Sequence, residues 1–324
     1  MRSIKLPSWI ERIAGLDPVP SPPHVFSLGP RELRYAAFHS GPQGYAFDLE
    51  KRIELPEATF MAGALGGPMR DVQGFREHLV QLLGQVGTPV EEASLVLPDS
   101  WLRLTFSEIT DLPRKADQRQ QVLEFKLGRL VPFRVEELRI SAVEVTPFPG
   151  QEEPRRLLLG FGIEALLAQI ESAFDAAGVH IGSITNTTLA MASSLEHTMS
   201  AAEISSLIAV YDDSYTLSFY HSAEPMLYRY KDFADGGIHA ESVRRDLRMT
   251  ASFLERHFPE APFRRPFLSA PAELMDRWLS WTSEELEHPP EPLRMDHFAL
   301  TRGRAGITWD QVAPLLGAAS LEVR

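Results

Sequence analysis

Residues 95–145 read LVLPDSWLRLTFSEITDLPRKADQRQQVLEFKLGRLVPFRVEELRISAVEV. Leu95, Val96 and Leu97 are a continuous apolar run stopped by Pro98, which suits a short strand covered on both faces. Residues 101–109 predict a second strand, with alternation placing Phe106 on the core side. Residues 114–130 predict a helix of mixed charge, closed by Pro132, which cannot continue it. Residues 137–145 return as a strand. Strands interleaved with helices at this density specify an α/β architecture and exclude a helical bundle or a closed barrel.

The same alternation continues on both sides. Residues 25–28 and 33–38 predict a hairpin around Gly29-Pro30, and residues 72–86 a helix. Residues 155–162 pair with 137–145, and the helix over 163–177 stops at Gly178, a residue that tolerates positive φ. A strand follows at 179–184. The second half opens with a three-strand meander over 207–210, 216–220 and 226–230. A long amphipathic helix over 241–257, a short strand at 266–268 and helices at 272–281 and 309–321 complete the chain. No internal sequence repeat is visible, although each half begins with a meander. Before all of this, Leu6, Trp9, Ile10 and Ile13 fall at helical spacing among Arg2, Lys5 and Arg12. Pro18, Pro20, Pro22 and Pro23 then hold an extended connector.

The formal charge of −12 repels phosphate backbones, so nucleic acid is not an expected partner. The absence of cysteine removes disulfides, thiolate metal sites and cysteine nucleophiles, and fits a reducing compartment. No apolar run approaches the roughly 20 residues of a spanning helix, and residues 1–16 lack the features of a secretory signal. A cytoplasmic location is the expectation. The histidines are scattered, and no nucleophile elbow, Walker A sequence or HExxH motif occurs, so no metal or catalytic residue is predicted. Gly160-Phe161-Gly162 opens a dinucleotide fingerprint that Leu166 fails to complete, leaving core packing as its reading. Glu284, Glu285 and Glu287 read as a solvated helix end.

The segment 95–145 resembles the corresponding stretch of PilM proteins of type IV pilus assembly. It shares the strand–proline–strand–helix order and a turn, Leu130-Val131-Pro132-Phe133 followed by Glu136 and Glu137, that is similar to the family's Y-I-P-F-x-x-x-E. The likeness runs from about His24 to the end, including Gly236-Gly237-Ile238 and Gly317-Ala318 near the family's later motifs. It implies an actin-like bilobed fold with the inserted subdomain of PilM and FtsA. The implied divisions are 1–23 (amphipathic segment and connector), 24–94 (first lobe), 95–180 (insertion), 181–206 (return), 207–308 (second lobe) and 309–324 (a helix packing back on the first lobe).

An actin-like nucleotide site needs glycine-rich turns whose N–H groups reach phosphate, with aspartates to position Mg²⁺ or water. At the first turn this chain has Ser27-Leu28-Gly29-Pro30: serine replaces the aspartate, and proline removes a donor. At the second, Ala209 and Tyr211 fall on the aspartate and glycine positions, with Asp212 and Asp213 close by. Those adjacent carboxylates suit a metal ion or a solvated turn, the latter being the expectation. Ser269-Ala270-Pro271-Ala272 stands where an adenosine-side glycine motif belongs, while Gly236 and Gly237 retain room to approach a ribose or adenine. The expected function is a pseudo-ATPase scaffold without cofactor, ATP and Mg²⁺ entering only if the degenerate pocket still binds.

The resemblance implies docking of the N-terminal tail of a PilN-like inner-membrane partner, with self-association a further possibility, and Trp101, Pro132 and Phe133 as contact candidates. Phe106 is a further apolar residue there, assigned to the core. Two alternatives are a type II secretion L-type cytoplasmic scaffold and an active actin-like ATPase. Residues 1–16 suit membrane contact, groove docking or a strap on the chain's own domain; Ile4-Lys5-Leu6-Pro7 resembles the PilN tail enough to occlude its groove.

Overall fold

The computed structural model describes residues 19–20, 23–41, 44–148, 154–199, 203–221, 224–233, 237–259, 262–264, 266–302, 308–320 and 322–323. The expectations on residues 1–18 and on Gly236 lie outside these. A short strand β1 (Val19–Pro20) pairs with β16 (Glu322–Val323) and so brings the two ends of the described chain together.

The first lobe is built on a meander. Strand β2 (His24–Leu28) turns into β3 (Glu32–Gly41), which pairs with β4 (Gly44–Glu54). Helix α1 (Val72–Val86) carries the chain back to β5 (Glu92–Leu97), parallel to β2. The Asp71 side chain accepts the Gly74 N–H at 2.8 Å to start α1, and Gly87 at φ 76° ends it. Its buried residues Phe75, Leu79, Leu82 and Val86 lie at helical spacing and face the sheet. With β9 (His180–Asn186) and β15 (Leu300–Arg302) the order is β15-β4-β3-β2-β5-β9. One face of this sheet packs on α1 and α3 (Glu164–Ala176). The other packs on α4 (Thr187–Ser194) and α7 (Trp309–Ser320). A Cβ at Gly317 would stand 1.6 Å from the Ala190 carbonyl oxygen, so α7 and α4 meet backbone to backbone.

The second lobe repeats this plan. Strands β10 (Ile204–Val210), β11 (Ser214–His221) and β12 (Glu224–Asp232) form a meander. Helix α5 (Ala240–His257) crosses to β13 (Phe267–Ser269), parallel to β10, and α6 (Ala272–Leu286) leads to β14 (Glu291–Pro292). The order is β12-β11-β10-β13-β14. Third, second and first meander strands are thus followed by two parallel strands in both lobes, a repeat of topology that the sequence does not display. Every residue of β10 is buried, as expected of a central strand covered on both faces.

Between β5 and α3 the chain inserts a separate sheet, β6 (Arg103–Ile109), β8 (Arg155–Ile163) and β7 (Leu138–Val145), in the order β6-β8-β7. Helix α2 (Ala116–Gly128) covers it through Leu123 and Leu127. Within the span 95–180, Leu95 and Leu97 belong to the first-lobe sheet and core. Gly160, Phe161 and Gly162 lie in mid-strand β8, as packing residues. The acidic run at the end of α6 departs from the expected solvated face. Arg244 of α5 binds Glu284 at 2.5 Å and Glu285 at 2.7 Å, while Arg248 reaches Glu285 at 3.0 Å. Glu284 and Glu287 are exposed but the Glu285 side chain is only 7% exposed, and it clamps two helices that each carry an apolar face. Among the described residues, no helix is long and apolar enough to cross a membrane.

Candidate functional site

The β2–β3 and β10–β11 hairpin turns are closed by their own backbones. The Gly29 N–H donates to the Glu32 carbonyl at 2.9 Å, and the following Pro30 has no N–H to offer. Ser27 is half-buried within β2, paired with Arg34 and Val96. A Cβ on Gly29 would meet only the Glu32 carbonyl oxygen at 3.9 Å, so the glycine is not kept by a close approach. In the second turn the Tyr211 N–H donates to the Ser214 carbonyl at 2.8 Å. Asp212 and Asp213 are exposed, and Asp213 accepts the Ser214 hydroxyl at 2.8 Å. No group of three or more metal-ligating side chains occurs among the described residues.

Behind these turns lies a buried acid that the sequence reading did not single out. Asp99 follows β5 and Pro98 and is 2% exposed. Its carboxylate accepts the Thr188 backbone N–H at 2.9 Å, the Thr188 hydroxyl, and the Thr216 hydroxyl at 2.6 Å. Thr188 spends its hydrogen on Asp99, so the Tyr211 hydroxyl donates to the Thr188 oxygen at 3.0 Å. The Tyr228 hydroxyl accepts from the Asn186 amide at 2.7 Å. The Asn186 side-chain oxygen caps α4 by accepting the Leu189 N–H at 2.9 Å.

Local sequence explains the placement. Pro98 ends β5, the chain turns as the Trp101 N–H bonds the Pro98 carbonyl, and Asp99 is left facing the first turn of α4. The helix N-terminus favours a carboxylate there. Thr216 and Tyr228 come from β11 and β12 of the other lobe, so one carboxylate ties both lobes together. Burial pushes the Asp99 carboxyl above its usual range, opposed by the hydrogen bonds from Thr188, Thr216 and Tyr228. Burial, reinforced by the Asp99 charge, likewise raises the Tyr211 and Tyr228 phenols. Buried and accepting three hydrogen bonds, the Asp99 carboxylate fastens α4 to β11.

The remaining predicted positions scatter. Gly237 borders a small cavity with His239, Ser242 and Asp246, and a Cβ there would meet nothing within 4 Å. Ser269 ends β13 and is buried. Trp101 is 5% exposed, its ring 4.8 Å from that of Phe60, with Gly66 at φ +71° directly against the indole. It is a core side chain and presents nothing to a partner. Phe106 is only half-buried, on the wall of a cavity between the insertion and the second lobe. Pro132 is exposed and Phe133 half-buried, so these two of the three contact candidates remain at the surface. The Arg103 guanidinium lies 5.4 Å from the Phe133 ring and 4.3 Å from that of Tyr230, and bonds Asp232 at 3.1 Å. The sequence signal for Asp99 was available: an acid immediately after a buried strand, at the strand's carboxyl end where α/β sheets place their sites. Its donors, far away along the chain, carried no comparable signal.

No family model matches the chain, and no curated protein matches it. Among solved structures it is similar to the PilM–PilN type IV pilus biogenesis complex, with TM-score 0.68 and 13% identity over 94% of this chain and 97% of that one. A Bacteroides thetaiotaomicron protein described as having an actin-like ATPase fold and unknown function gives TM-score 0.52 and 9% identity, over 91% of this chain and 96% of that one. The identities are low, and the likeness is one of fold. With the same strand order in both lobes and an inserted sheet in the first, this chain has the actin-like fold.

Proposed function

We propose that this chain is a cytoplasmic assembly scaffold that has given up nucleotide and docks the N-terminal tail of a PilN-like inner-membrane protein, in building a type IV pilus or related filament. The observation that carries the first half is the Asp99 fastener: the lobe junction is filled by Thr188, Tyr211, Thr216 and Tyr228, with both hairpin turns hydrogen-bonded to themselves. A triphosphate needs those N–H groups and that space. The fold shared with PilM of the PilM–PilN complex supports the second half. The exposed Pro132, with Phe133 beside Arg103, offers an apolar and cationic surface on the insertion. Attachment at the inner membrane then runs through the partner.

The test is binding of a peptide carrying the cytoplasmic tail of a PilN-like protein to the full chain. Saturable binding that weakens at least tenfold in Phe133→Ala is expected. Absence of binding, or binding untouched by that substitution, overturns the docking assignment.

A further inference from the structure

A cavity of about 550 Å³ opens between the insertion and the second lobe, within the roughly 300–1,000 Å³ typical of ligand sites. On the insertion side its walls come from β6, β8 and the end of α2, and on the second-lobe side from β12 and α5. Four cations line it, Lys126, Arg129, Arg156 and Arg229, against a single carboxylate, Glu108. Among the described residues, none of the four lies within 4.0 Å of a carboxylate. In a chain of charge −12 this is a local reversal of sign.

Arg156 shows how unusual the environment is. It is 4% exposed, its guanidinium 3.7 Å from the Phe148 ring and 4.8 Å from that of Phe106. It bonds only neutral acceptors, the Met226 carbonyl at 2.7 Å, the Thr146 carbonyl at 3.3 Å and the Met226 sulfur. Lys126 likewise donates to the Glu108 carbonyl at 2.7 Å, and Arg229 to the Thr250 hydroxyl at 3.3 Å. Glu108, opposite Arg156 across β6 and β8, acts on it without forming an ion pair; a buried guanidinium with no carboxylate in contact is costly, and an incoming one recovers that cost. The Glu108 and Met226 carbonyls on the edge strands are already taken, so the site offers charge and aromatic surface more than strand pairing.

We infer that this cavity receives an acidic segment of a partner protein, its carboxylates set against these cations and an apolar side chain against the aromatic lining. The insertion contributes Lys126, Arg129 and Arg156, and the second lobe contributes Arg229. Phe106, Phe148 and Phe253 supply the apolar surface, and Leu130, 51% exposed, extends it at the rim. This surface is separate from Pro132 and Phe133, and the assignment stands independently of the tail-docking proposal.

The probe is a labelled peptide of alternating glutamate and leucine, read by fluorescence anisotropy on the full chain, beside its glutamine counterpart and inorganic phosphate. Arg156→Gln would also remove the aromatic stack, so Arg129→Gln with Arg229→Gln carries the test. The expected result is saturable binding of the glutamate peptide, at least tenfold weaker for the glutamine version and for the double variant, and weaker in high salt. Equal binding of the two peptides, binding unchanged in the double variant, or binding of phosphate with none of peptide overturns it.

Discussion

The two seams of the second lobe differ in how they treat charge. Where it meets the first lobe, a single carboxylate is buried and surrounded by donors from both sides. Where it meets the insertion, four cations surround open space with one carboxylate among them. The first seam is closed because its charge is satisfied internally; the second stays open because its charge is not. The proposals above accordingly put recognition at the flank and leave the lobe junction to structure.

Substitutions at each seam separate these readings. Asp99→Ala strands the Thr188 and Thr216 hydroxyls and the Thr188 N–H; at about 1–3 kcal/mol for each buried donor, a loss on the order of 4 kcal/mol is expected in urea unfolding. A loss below about 1 kcal/mol would mean that the seam is wet and loosely held. Thr216→Val removes one hydrogen bond to a charged acceptor and should cost about 1.5–3 kcal/mol. Tyr211→Phe removes only a neutral one, for about 0.5–1.5 kcal/mol by the same measurement.

The pH dependence follows from the raised Asp99 pKa. A group held above its unfolded value binds more protons in the native state, so its contribution is fully present in acid and is lost as pH rises through the folded value. The stability of the wild type relative to Asp99→Asn should therefore decline from about pH 4 upward, near the unfolded carboxyl pKa. A difference that grows with pH instead would show that the hydrogen bonds outweigh burial. At the open seam, Arg129→Gln and Arg229→Gln should each change stability by no more than about 0.5 kcal/mol, because no carboxylate partner is lost.

The local elements were legible in the sequence wherever one periodicity dominated. Residues 72–86 form the expected helix to the residue, since Phe75, Leu79, Leu82 and Val86 make a single apolar stripe between a capping aspartate and a glycine. Strand β4 was not foreseen: Asp48, Glu50, Lys51, Arg52 and Glu54 dilute its pattern on a half-exposed strand. The Glu285 clamp was hidden for a different reason. Its arginines come from another helix, and local charge alone cannot distinguish a solvated acid from a partnered one. The same limit applies to Asp99, whose donors Thr188 and Thr216 lie 89 and 117 residues along the chain. The departures from a phosphate-turn pattern at Ser27, Pro30 and Tyr211 could be read directly, but Asp99 and its donors required the fold. Trp101 was a candidate for partner contact as well as for the core, and its indole lies against Gly66 and Phe60 in the core.

The most direct measurement is a calorimetric titration of the full chain with ATP and Mg²⁺, with phosphate release followed in parallel. A junction sealed by Asp99 and its donors predicts no saturable heat up to millimolar nucleotide and no turnover. Micromolar affinity accompanied by hydrolysis would contradict it, and would require the Asp99 fastener to open and the two hairpin turns to give up their own hydrogen bonds.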